Sequence, residues 1–138
     1  KKLDGAWDIG LVVLRLGIGA SMLILHGYGK ISGGTAVWYK LGGNMEVVGV
    51  DFLPVVWGFM AAFAESVCSL MIMLGVFFRP AAFMLAVTML LAVLKHLSLP
   101  MYSAAAGWAG ASHALDLLIV YVGLFLIGPG RYVVTIKK

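Results

Sequence analysis

The sequence predicts an all-α fold: an integral membrane four-helix bundle with a short interfacial helix between spans one and two. Three observations predict it. The 138-residue chain is 62% hydrophobic with a mean hydropathy of +1.03, far above the roughly 45–50% apolar content of soluble domains. Its apolar residues gather into four runs, each near the roughly 20 residues a bilayer requires. All four prolines, Pro54, Pro80, Pro100 and Pro129, fall at the ends of those runs, where a missing N–H costs least.

Span one is predicted from about Trp7 to Gly29, span two from about Pro54 to Phe78, span three from Pro80 to about Leu99, and span four from about Trp108 to Gly128. Composition is uniform along the chain, so residues 1–138 read as one domain. Trp7, Trp57 and Trp108 stand at or near span ends and Trp38 in the first link, as in an aromatic belt at headgroup depth. The first apolar run has no small-residue cleavage site after a short core, so it reads as a span rather than a removable leader. Spans two and three are separated by little more than Arg79, which predicts a tight antiparallel hairpin turning there. The link from Lys30 to Asp51 is longer, and its centre, Ala36–Leu41, reads as a helix lying in the interface.

The net charge is +4 with a pI near 9.4. The basic residues form no run, so this bias reads as membrane orientation and not as nucleic-acid binding. Lys1, Lys2, Arg79, Arg131, Lys137 and Lys138 fall on the side of the two termini, which predicts that both termini are cytoplasmic. The single cysteine, Cys68, excludes an intramolecular disulfide or a CxxC pair.

Function is sought among eight ionisable residues inside or at the ends of the spans: Arg15, His26, Lys30, Glu65, Lys95, His96, His113 and Asp116. A charge in hydrocarbon persists only when it is paired, hydrated or used. Arg15, Gly19, Met22, His26 and Lys30 recur at helical spacing on span one, as do Gly58, Ala61, Ala62, Glu65, Cys68, Ser69 and Ile72 on span two. On span three the nearest such stripe is Thr88, Ala92, Lys95, His96 and Leu99, and on span four Ser112, Asp116, Ile119 and Gly123. All four stripes are predicted to face inward. Depth brings Arg15 within reach of Glu65 or Asp116, so Arg15 and Glu65 are predicted to form a structural ion pair. Arg15, His26, Glu65, His113 and Asp116 are predicted to line a polar cavity, with His113 oriented by Asp116 one turn on. Lys30, Lys95 and His96 read as interfacial, the lysines snorkelling outward. The histidines and carboxylates lack any HExxH-like spacing, so no metal site is predicted, and no nucleotide or haem motif occurs.

The arrangement resembles the DoxX family of small four-helix membrane proteins. Leu14-Arg15-Leu16-Gly17 followed by His26-Gly27 and Lys30 is similar to its first span. Phe63-Ala64-Glu65, then Leu74-Gly75-Val76-Phe77-Phe78-Arg79-Pro80, is similar to its second hairpin, and Gly128-Pro129-Gly130-Arg131-Tyr132 to the signature after its last span. Arg15, His26, Lys30, Glu65, Arg79 and Arg131 match motif residues. Two departures stand out. The family's glycine pair after the glutamate is Cys68-Ser69 here, and the acidic residue at the start of the last span falls on Ser112 or His113, with Asp116 a turn later.

The resemblance implies a bacterial or archaeal inner-membrane protein that serves as subunit or accessory of a redox complex, with quinone as its cofactor. Quinone carbonyls need hydrogen-bond donors at membrane depth, and reduction takes up protons, both of which the polar residues can supply. Other membrane-protein subunits and the lipid bilayer are the implied partners. A non-catalytic subunit bracing a larger complex, and a small lipid- or solute-binding transporter, are the alternative readings.

Overall fold

The computed structural model describes residues 2–134, with side chains from Gly5 onward. Lys1, Lys137 and Lys138, and the side chain of Lys2, on which part of the orientation argument rests, lie outside the described residues. Every regular element among these residues is helical. Helix α1 comprises Lys2–Met22, a π-helical turn at Leu23–Gly27 and Tyr28–Ser32. Helix α2 is Gly34–Gly42, followed by a 3₁₀ turn at Gly43–Val48. Helix α3 comprises Pro54–Phe63, a second π-helical turn at Ala64–Cys68 and Ser69–Leu74, while α4 is Phe78–Ser98 and α5 is Gly107–Ile127. Four helices, Gly5–Ser32, Pro54–Leu74, Phe78–Ser98 and Gly107–Ile127, are long and apolar enough to cross a membrane. This is the expected four-helix membrane architecture, and α2 is the short helix expected at Ala36–Leu41.

The hairpin between spans two and three turns earlier than expected. Helix α3 stops at Leu74 because Gly75 takes a left-handed conformation, φ 74°, which glycine adopts without steric cost. Phe77 then opens α4, so Pro80 lies inside the first turn of that helix, where its absent N–H has no partner to lose. Reading Pro80 as the first helical residue therefore placed the turn at Arg79 instead of Gly75–Phe77.

Packing follows the chain. Helix α1 lies on the second half of α3, α2 on the first half of α3, and α4 packs most closely on α5. The core gathers Met22, Cys68, Ile72, Leu85, Tyr121 and Leu124, all buried. The large apolar side chains left outside it, such as Ile24 at 69% and Leu126 at 67% exposed, suit a surface whose solvent is lipid. The inward stripes expected on spans one and two are inward. The one expected on span four is not: Ala111, Ala114, Tyr121 and Leu124 are buried instead, and Ser112, Asp116 and Ile119 are exposed. Polarity was the guide to that face, whereas α5 packs through its small and aromatic residues.

Candidate functional site: a cavity beside a buried ion pair

The two cations that α1 turns into the bundle meet different partners. Arg15 is 2% exposed, and all its hydrogen bonds run to backbone carbonyls. Its Nε donates to the Ile72 carbonyl at 3.0 Å and its Nη2 to that of Met73 at 2.9 Å. Its Nη1 donates to the carbonyls of Pro129 at 2.6 Å and Tyr132 at 2.8 Å. The last four carbonyls of an α-helix lack partners within the helix. In α3 each finds one: Met71 accepts from the turn at Gly75 and Val76, Ile72 and Met73 from Arg15, and Leu74 from the Val134 N–H. The guanidinium also lies at the negative end of the α3 dipole. Asp8 fixes the same tail, accepting from the Arg131 N–H at 3.0 Å. Arg131 Nε lies 3.5 Å from Asp8, itself largely buried. The start of α1 and the segment after α5 thus sit at one end of the bundle.

This corrects the pair expected between Arg15 and Glu65. Arg15 is committed at the C-terminal end of α3, while Glu65 lies seven residues earlier, about 10 Å away along the axis. Glu65 is paired with Lys30, Nζ to Oε2 at 2.5 Å, with side-chain exposures of 29% and 6%. Lys30 therefore turns inward and does not snorkel. The local backbone explains how it gets there. The π-helical turns of α1 and α3 face each other, and a Cβ on Gly27 would collide with the Glu65 carbonyl. Only glycine permits that approach, and Lys30, one turn beyond it, reaches the carboxylate. π-Helical turns interrupt a regular helix at some cost and concentrate at functional sites. Here one carries His26 and the other Glu65.

Glu65 and Lys30 form part of the wall of a cavity of about 340 Å³. Apolar side chains, among them Met60, Phe83, Val87 and Leu91, make most of it, and Asn44, Thr88, Lys95 and His96 add polar atoms. Trp57 also lines it, and its Nε1 is buried without a hydrogen-bond partner. A buried donor without an acceptor is costly. His96 has turned its Nδ1 to the Ala105 carbonyl at 2.6 Å, so that nitrogen carries the proton. Lys95 and His96 thus belong to the cavity wall as well as to the helix end.

Of the five residues expected to share a cavity, only Glu65 lines this one. Arg15 is at the other end of the bundle. His26 and His113 pack against each other with ring centroids 5.6 Å apart, on the side where α1 approaches α5. Asp116 is exposed at mid-helix. A carboxylate at that depth facing lipid costs roughly 2.5–3.5 kcal/mol on insertion scales. By position in the sequence Trp57 is a belt residue. Its spacing to Ala61 and Glu65, two steps of four residues on one helix face, was the available signal.

These features define a class, the small integral membrane proteins built as a four-helix bundle with a polar group buried between helices. More narrowly, the chain belongs to the DoxX family, whose sequence model matches residues 10–98, from α1 to the end of α4. No curated protein and no solved structure matches it. The motif residues carried over by resemblance now have places: Arg15 clamps the tail, Lys30 pairs with Glu65, and Arg131 lies on Asp8.

Proposed function

We propose that this protein is a membrane component of a quinone-linked redox complex and that it binds the quinone head in the cavity between α3 and α4. The observation carrying this reading is one apolar cavity whose wall includes the Lys30 ammonium and Trp57, an indole whose buried N–H has no hydrogen-bond partner. Its volume, about 340 Å³, lies in the range of small-ligand pockets, roughly 300–1,000 Å³. Trp57 Nε1–H donates to one carbonyl oxygen of the head. Lys30, which spends one of its three N–H donors on Glu65, offers another. Glu65 fixes the position of the ammonium, and together they keep a proton donor and an acceptor beside the ligand. A quinone, when bound, supplies two-electron chemistry, with electrons drawn from a partner subunit.

The reading includes a plasma-membrane location in a bacterium or archaeon with both termini in the cytoplasm. Arg79 and Arg131 support the orientation, since both stand near the end where α1 begins. Gly128 of the tail lies beside Arg79, and Arg131 meets Asp8.

The test is equilibrium titration of the purified protein in lipid nanodiscs with a short-chain ubiquinone, against empty nanodiscs. Saturable binding at one site per chain is expected. Uptake no greater than partitioning into empty nanodiscs would refute it. Competition by a phospholipid of similar chain length separates a quinone site from a general lipid site.

A further inference from the structure

The outer face of α5 carries chemistry that the cavity does not use. Ala109, Ser112, His113, Asp116, Ile119 and Gly123 recur at steps of three and four residues, forming one seam along the helix. The seam is open: His113 and Asp116 are exposed, Ile119 is 62% exposed, and nothing lies within 4 Å of a Cβ built on Gly123. Asp116 stands near the middle of this 21-residue helix, where hydrocarbon surrounds any face that protein does not cover. An unpaired carboxylate is least tolerable there.

We propose that this seam is the interface of a homodimer, in which the His113 imidazole of each copy donates to the Asp116 carboxylate of the other. Self-complementarity argues for a second copy. Acid and base lie one turn apart on the same face, so a twofold axis along the membrane normal satisfies both pairs reciprocally. Small residues at Ala109, Ser112 and Gly123 let the two backbones approach, and polar side chains then bond across them. The cations that α1 turns into the bundle are already engaged, Arg15 by four carbonyls and Lys30 by Glu65, whereas the seam carries its own complement to Asp116 in His113. His26 packs against the His113 ring, yet His113 stays exposed and so open to a second copy. The inference does not depend on what the cavity binds.

The experiment is energy transfer between donor- and acceptor-labelled copies in phosphatidylcholine vesicles over a dilution series. Wild type should associate as a dimer. His113→Ala alone and Asp116→Ala alone should each weaken association at least tenfold, with Asp116→Asn as a milder variant should the alanine fold poorly. The decisive arm mixes the two alanine variants. Their heterodimer keeps one His113–Asp116 contact that neither homodimer has, so the mixture should associate more tightly than either variant alone. A monomeric wild type, single variants as tight as wild type, or a mixture no tighter than its components would each overturn the proposal. If wild type is monomeric but captures a synthetic leucine–alanine transmembrane peptide with a central lysine, the face serves a different, cationic helix.

Discussion

Arg15 and Lys30 lie on one face of one helix, about four turns apart, and both carry a charge into the bundle. Arg15 is surrounded by four carbonyls from α3 and the C-terminal segment. Lys30 has one carboxylate and an adjoining cavity. The difference teaches that a buried charge is not by itself a functional signal. What separates the two is saturation: the guanidinium is consumed in completing the backbone hydrogen bonding of a helix end, and the ammonium keeps donors to spare. The planar fork of arginine suits the first task, and the compact, rotatable head of lysine the second.

The largest effect should come from Arg15→Leu. It leaves the carbonyls of Ile72, Met73, Pro129 and Tyr132 without their donors and frees the tail. Each buried acceptor left without its donor costs about 1–3 kcal/mol, and several are left here, so a loss of about 3 kcal/mol or more is expected. Denaturant unfolding in detergent should record a loss of that size, and an unchanged midpoint would erase the distinction between the two ends. Gly27→Val comes next. Its side chain meets the Glu65 backbone, so α1 must move away from α3, at about 1–3 kcal/mol for overpacking. The shift should also separate Lys30 from Glu65 and lower quinone binding, tying a fold defect to a site defect.

Trp57→Phe should leave stability unchanged or raise it, by removing a buried unpartnered donor, while weakening quinone binding about threefold to tenfold, the worth of one neutral hydrogen bond. Equal affinity would remove the indole from the site. Asp8→Asn should be the mildest. It weakens a contact to an arginine that is 73% exposed, so a stability loss of about 1 kcal/mol or less is expected, with quinone binding intact.

Much of this architecture was legible in the sequence because helical period and bilayer length are strong signals. The stripes through Arg15, Met22 and Lys30 and through Ala62, Glu65 and Ile72 face inward as their spacing requires. What was not legible has particular causes. Arg15 looked like half of an ion pair because its true partners are carbonyls, which leave no trace in residue type. The hairpin end was misplaced because a proline within a first turn resembles a proline at the first position. On α5, polarity pointed Asp116 inward, but Ala111, Ala114 and Tyr121 make the packed face. The cavity stayed hidden because it lies between half-buried faces of α3 and α4, where Trp57, Thr88 and Lys95 meet only once the helices are assembled.

The division between a structural and a ligand-facing charge is tested most directly by replacing the second pair outright. The variant Lys30→Met with Glu65→Leu removes a buried ion pair in favour of apolar side chains of similar volume, an exchange that is often neutral or stabilising. Stability and short-chain ubiquinone binding should be measured on the same nanodisc preparation. The account predicts stability at or above that of wild type, with saturable quinone binding lost. Wild-type affinity in the doubly neutral protein, with its fold intact, would contradict it and leave Lys30 and Glu65 as structural as Arg15.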